Sequence, residues 1–262
     1  WTLSVLFDAM GRTVRQYYPV AEPLGQDGTF NPGDTGSNDP KTDTAYDVLD
    51  RTVSTLLPDG TSTFIDYGFG TDHGITEFQT TVTDANGKKK ESYRDVRGLI
   101  TAVKERNSGK DIWTTYAYDP LKQIVQVTDA KGNQTKATYD NLGRRTSIDN
   151  PDIGKTVTVY DRASNVVAKI TANLAAAGAT PTGPGQAKAI NYDYDYNRLI
   201  GIRYPDNKGN DVTYEYGAAN LNNGLNQIGR IVKVTDASGS EERQYGKLGE
   251  TAKEIRTIAS HT

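Results

Sequence analysis

Apolar and polar residues alternate in short runs along most of this chain, and each run ends in a turn signal. From 144 to 149, Thr146 and Ile148 share one side of the alternation; from 155 to 160, Val157 and Val159 face away from Thr156, Thr158 and Tyr160. Between the two runs lies Asn150-Pro151-Asp152-Ile153-Gly154. Proline presets φ, aspartate bonds its own backbone and glycine accepts φ > 0. Runs of about six residues span about 20 Å, so this stretch predicts a β-hairpin. The unit then returns. Tyr-Asp pairs stand at Tyr118-Asp119, Tyr139-Asp140 and Tyr160-Asp161, each 21 residues after the last, and a fixed period of this size points to a repeat architecture.

The turns are the most regular part. Asp-x-x-Gly occurs at Asp8 and Gly11, Asp84 and Gly87, Asp95 and Gly98, Asp129 and Gly132, Asp140 and Gly143, Asp206 and Gly209, and Asp236 and Gly239. Aspartate at the first position accepts backbone N–H groups, and glycine at the fourth takes the left-handed conformation. Strands are predicted at 2–7 and 12–18, hairpins over 45–69 with a turn at 57–60, three strands over 76–104, and a strand over 113–118. Residues 68–74 read as a bend with one exposed histidine, His73, since they lack dinucleotide-loop spacing and a following helix. Loop excursions are expected at 20–44, 171–187 and 217–229. The second holds one or two helical turns from Asn173, stopped by Gly178 and Pro181. Strands resume at Ile190, where Tyr192, Tyr194 and Tyr196 alternate with Asp193 and Asp195, so three rings are expected on one face.

Composition narrows the picture. The hydrophobic fraction is 35%, below the usual 45–50% or so, and 16 tyrosines outnumber 5 phenylalanines and 2 tryptophans. Tyrosine suits surfaces that are half buried or wet. A sheet curved around a wet cavity fits that composition, and so does a polar β-solenoid. The net charge of −3 comes from 30 basic residues scattered among 33 acidic ones. Lys88-Lys89-Lys90 reads as a solvated hairpin tip, so no nucleic-acid partner is expected. The absence of cysteine rules out disulfides and thiolate metal sites. No apolar run approaches about 20 residues, so no membrane insertion by this segment is expected. The chain opens at Trp1 and closes at Thr262 in mid-pattern, which reads as a piece of a longer polypeptide.

Candidate chemistry is thin. His73 and His261 belong to no spaced ligand group. Asp193-x-Asp195-x-Asn197 begins like a calcium loop, but Arg198 stands where glycine is required and Tyr204 where the bidentate glutamate belongs. Neither G-x-S-x-G nor H-E-x-x-H occurs. Carboxylate pairs suited to glycoside hydrolysis are plentiful, yet nearly all are turn aspartates and nothing selects one pair. The expectation is no enzyme, no cofactor and no metal.

FDAMGR from Phe7, YDVLDR from Tyr46 and YDNLGR from Tyr139, with TDANG, TDAKG and TDASG between strands, resemble the YD repeat. That repeat defines the Rhs proteins, the shell-forming B and C subunits of bacterial Tc insecticidal toxins, and the teneurin barrels. The resemblance runs from about Phe7 to Gly249. Its repeat-defining residues here are Asp8, Gly11, Tyr46, Asp47, Asp84, Gly87, Asp95, Gly98, Tyr118, Asp119, Asp129, Gly132, Tyr139, Asp140, Gly143, Tyr160, Asp161, Tyr194, Asp195, Asp236 and Gly239. Several units depart from the pattern: Pro120-Leu121-Lys122-Gln123 lacks both glycine and arginine, Ser164 replaces glycine, and Tyr245-Gly246 loses its aspartate.

The resemblance implies an all-β fold, with serial antiparallel hairpins forming a curved ribbon, and residues 1–262 as one segment of a hollow β-cocoon. It implies a non-catalytic wall that encloses a C-terminal toxin polypeptide. The partners would be the remaining repeats of the same shell, or a partner shell subunit. The product would be secreted or delivered from a bacterial cell. Relatives carry an aspartyl-protease-like core after the repeats, and no such segment is found here. An alternative is a cell-surface adhesion or carbohydrate-binding module, with Tyr192, Tyr194 and Tyr196 stacking on a sugar.

Overall fold

The computed structural model describes residues 4–19, 39–107, 109–181, 183–218 and 226–259. The chain divides into two units, Trp1–Asn133 and Gln134–Thr262. The first holds β1 (Val5–Phe7), β2 (Thr13–Tyr17), β3 (Lys41–Tyr46), β4 (Thr52–Leu56), β5 (Ser62–Asp72), β6 (Ile75–Thr83), β7 (Lys89–Arg94), β8 (Ile100–Asn107), β9 (Lys110–Tyr118) and β10 (Ile124–Thr128). Each pairs antiparallel with the next. The second holds β11 (Gln134–Tyr139), β12 (Arg145–Asn150), β13 (Gly154–Tyr160), β14 (Val166–Ile170), a short helix α1 (Ala172–Ala176), β15 (Ile190–Asp195), β16 (Arg198–Arg203), β17 (Val212–Tyr216), β18 (Ile231–Asp236), β19 (Gly239–Tyr245) and β20 (Thr251–Ile258). Its strands also pair serially and antiparallel. The fold is all-β and built of consecutive hairpins, as the alternation predicts.

A register slip recurs at one place in the repeat. It falls beside Tyr46, Tyr139, Tyr160, Tyr194, Tyr216 and Tyr245, at the end of the strand that enters each turn. A bulge twists the strand and re-aims a side chain. Here Tyr46, Tyr160, Tyr216 and Tyr245 are aimed at an earlier hairpin.

Little is closed off from water. Among the described residues the buried hydrophobic side chains are Tyr17, Tyr93, Ala102, Val167, Ala168, Ile170 and Ala189. Most strand positions are half-buried on both faces, the signature of a single layer. One hydrophobic cluster forms, in the second unit, from Ala168, Ile170 and Ala189, with Val157, Val159, Leu174 and Ala179 packed against it. The helix α1 lies over β13 and β14 there. Thr171 caps its start by accepting from the Leu174 N–H, and Gly178, at φ +93°, follows its end.

Several local expectations change. Strand β3 begins at Lys41, inside the predicted 20–44 excursion, because Arg15 of β2 holds Asp43 of β3 across the pair; residues 20–38 lie outside the described part. Gly68 and Gly70 do not mark a bend. They lie inside β5, which runs to Asp72 and turns only at His73 and Gly74, at φ +44° and +84°. Gly70 is needed for close approach: a Cβ there would sit 2.6 Å from Gln79 Oε1 and 2.9 Å from the Tyr93 ring. Asp206 and Gly209 close no hairpin of the expected kind. Asn207 caps a 3-10 turn over Lys208–Asn210 instead, and Asp211 accepts from the Tyr204 N–H. Asp236 and Gly239 pair directly across a two-residue turn. Of the 217–229 excursion, 219–225 lie outside the described residues, while Gly217 bridges Ile228. His261 also lies outside them.

Candidate functional site

The turns opened by aspartate share one hydrogen-bond scheme, whether tyrosine or another residue precedes the aspartate. At Asp8, Asp47 and Asp140, Oδ1 accepts the N–H groups of the third and fifth turn residues at 2.8–3.0 Å. Oδ2 accepts Nε of the arginine in fifth place, Arg12, Arg51 or Arg144, at 2.7 Å. Asp129 and Asp161 use Asn133 and Asn165 in that place, at 2.8 and 2.9 Å. Asp84, Asp95 and Asp119 make the same bond to the fifth backbone N–H. The fourth residue is left-handed, at +79° in Gly11 and Gly143, and also at +62° in Asp50, +67° in Lys122 and +69° in Ser164. These aspartates are therefore occupied by their own turns.

Backbone N–H groups, from Arg12 onto Asp8 and from Arg51 onto Asp47, hold both carboxyls below the usual carboxylate range. Asn133 and Asn165 side chains do the same for Asp129 and Asp161. A depressed folded value makes the turn's contribution fully present above the unfolded carboxylate range, and lost as pH falls through the folded value. Urea midpoints are expected to stay level from pH 7 to 5 and to fall below about pH 4. Asp47→Asn should flatten part of that fall.

A second set of contacts joins hairpin to hairpin. The hydroxyls of Tyr46, Tyr67, Tyr118, Tyr160, Tyr216 and Tyr245 donate to the carbonyls of Thr13, Thr52, Ile100, Arg145, Leu199 and Ile231, at 2.5–3.1 Å. Each acceptor is the first residue after the turn of an earlier hairpin. The arginine just before that acceptor lies over the same ring in five cases: Arg12 on Tyr46, Arg51 on Tyr67, Arg144 on Tyr160, Arg198 on Tyr216 and Arg230 on Tyr245, at 4.1–5.3 Å. Three of them reach further, into the following turn. Arg12 Nη1 donates to the Asp47 carbonyl, Arg144 Nη1 to that of Asp161, and Arg230 Nη1 to that of Gly249. The tyrosine and arginine of the repeat are thus two halves of a staple. Sequence reasoning identified the tyrosine and missed the arginine's reach. The signal was present: arginine four residues after the turn aspartate, one hairpin ahead of the next tyrosine.

The other predicted positions divide. Tyr196 does not share a face with Tyr192 and Tyr194. It leaves the strand for a two-residue turn, at φ +54° and 91% exposed, while Asp195 pairs with Arg198 across that turn. Burial raises the pKa of Tyr192 and of Tyr194, both half-buried, so no open three-ring platform forms. Asp193 and Asp195 are held by Arg203 and Arg198, which neutralises the calcium-like run. Asp236 accepts from the Ser238 N–H and hydroxyl. Asp72 and His73 bond to each other, and the His73 ring meets Trp113 edge-on at 5.6 Å. Among the described residues no group of three or more potential metal ligands gathers.

Residues 118–152 match the family model of the RHS Repeat. No curated protein matches the sequence. Among solved structures, the crystal structure of TcdB2-TccC3 has a TM-score of 0.71 at 17% identity, covering 97% of this chain and 13% of that one. The Tc holotoxin pore of Photorhabdus luminescens gives 0.72 at 17% identity, covering 98% of this chain and 13% of that one. At this identity the likeness is one of fold, and the chain spans a small part of the structures it matches.

Proposed function

We propose that this chain, which carries the RHS repeat, is a non-catalytic wall segment of a shell that encloses a toxic effector polypeptide for delivery. One observation carries the reading: the strands of each unit pair with their sequence neighbours in a single layer and close off almost no interior of their own. Such a layer becomes useful as a partition. The fold likeness to TcdB2-TccC3 over 97% of the chain supports it.

The mechanism is confinement. Within each unit, ladders of paired N–H and C=O groups form a barrier to a protease, and the strand faces are largely threonines, tyrosines and ion pairs, with Phe64, Phe69 and Phe78 standing exposed among them. The turn carboxylates are consumed by backbone N–H groups and arginines, so they serve geometry, and the segment needs no cofactor. Residues 1–262 act as one stretch of wall. Its partners are adjoining repeats or a partner shell subunit, which pair with the outer strand edges that would otherwise invite aggregation, and the enclosed C-terminal toxin. The site of action lies outside the producing bacterium.

The test is limited proteolysis of the full parent polypeptide with and without this segment, following the effector domain by blotting. The effector is expected to be degraded at least tenfold faster when the segment is missing. Equal survival in both would remove confinement as its role.

A further inference from the structure

We propose that the fourth position of each five-residue turn opened by aspartate, at the Tyr-Asp end of the strands, is a specificity position that selects which hairpin lies beside it. The backbone is left-handed there, and glycine adopts that conformation at no steric cost. Gly11, Gly98 and Gly143 obey this rule, but Asp50, Lys122 and Ser164 do not, at φ +62°, +67° and +69°. A side chain at such a position carries backbone strain unless something offsets it. Two of the three have a partner. Arg12 Nη1 donates to Asp50 Oδ1 at 2.6 Å, and Arg144 Nη1 donates to Ser164 Oγ at 3.2 Å.

Each donor is the fifth residue of the preceding turn, and the same nitrogen also donates to the carbonyl that opens the receiving turn. The junction is therefore directional, running from position five of one hairpin to position four of the next. The remaining case fits the same rule. Lys122 follows a turn whose fifth residue is Leu99, so no cation arrives, and position four is itself a cation. Gly98 follows the tight His73–Gly74 turn, which has no fifth-position arginine to send.

Near-identical hairpins in series risk pairing out of order, and polar partners of restricted geometry are an established device for fixing register. Here an acceptor at position four, at some conformational cost, marks the hairpin that belongs after a fifth-position arginine of an aspartate-led turn; Arg230, which closes a turn of another kind, meets the Gly249 carbonyl instead.

The test is a double-mutant cycle read by melting temperature on the whole chain. In the Arg12→Met background, Asp50→Gly relieves strain with nothing to lose and should raise the melting temperature by about 2 °C. With Arg12 present, the same substitution should give no rise or a fall. Equal shifts in the two backgrounds would overturn the proposal. Ser164→Gly with and without Arg144→Met repeats the measurement in the other unit, should a variant of the first unit fail to fold. Lys122→Gly, with no arginine upstream, should stabilise on its own; a fall there would remove the strain on which the selection rests.

Discussion

Ile170→Ala is expected to lower the stability of the second unit by about 2–4 kcal/mol, the largest loss anticipated for a single aliphatic truncation in that unit. Ile170 is 1% exposed and is the largest fully buried side chain among the described residues. At the half-buried strand positions a truncated side chain leaves a surface that water can refill. At Ile170 the hole is roofed by α1 and walled by Ala168 and Ala189, small residues that cannot swing in to fill it. Ile170→Val should cost only about 1 kcal/mol. Urea titrations of the three proteins give the comparison. A loss below about 1 kcal/mol for the alanine variant would mean that the helix can settle onto the sheet, and that the cluster is no keystone.

The second large effect is expected at the staple. Tyr160→Ala removes a ring beneath the Arg144 guanidinium and a hydroxyl bonded to the Arg145 carbonyl. The stacked cation contributes about 0.5–1 kcal/mol at a partly exposed site, and the hydroxyl bond about 1 kcal/mol. Loss of half-buried apolar area brings the total to about 2–3 kcal/mol. Tyr160→Phe should lose only the hydroxyl share. Arg144→Met combined with each variant separates the ring contact from the bond. If Tyr160→Ala costs no more than Tyr160→Phe, the guanidinium stacking contributes nothing, and Arg144 ties the next hairpin only through its bonds to Asp161 and Ser164.

Strand order and hairpin pairing were legible because they are local. Alternation fixes which face each residue takes, and short links leave each strand only its sequence neighbour to pair with. The turns at Asp8, Asp47 and Asp140 were legible for the same reason, since each carboxylate bonds N–H groups within four residues of itself. Asp-x-x-Gly alone misleads at Asp206, where Asn207 competes successfully for the capping role, and at Asp236, where a two-residue turn suffices. Tyr196 misleads because strict alternation presumes a continuing strand, and nothing in the residue type announces that Asp195 pairs back onto Arg198.

The staples were legible only in part, for a different reason. Arg51 and Tyr67 share the spacing of Arg144 and Tyr160, but the gap from Arg12 to Tyr46 is far longer because a loop intervenes, so spacing marks only some of the pairs. A bulge stands beside Tyr46, Tyr160, Tyr216 and Tyr245, though not beside Tyr67, and a bulge leaves no mark in composition.

Pairing that never reaches beyond the adjacent hairpin also bears on how such a polypeptide is made. Each of the six stapling tyrosines finds its carbonyl, and five of them a guanidinium, on chain already synthesised. Growth on the ribosome therefore adds finished rungs one after another, and no strand waits exposed for a distant mate. A translation pause placed after any turn should find everything upstream already resistant to proteolysis.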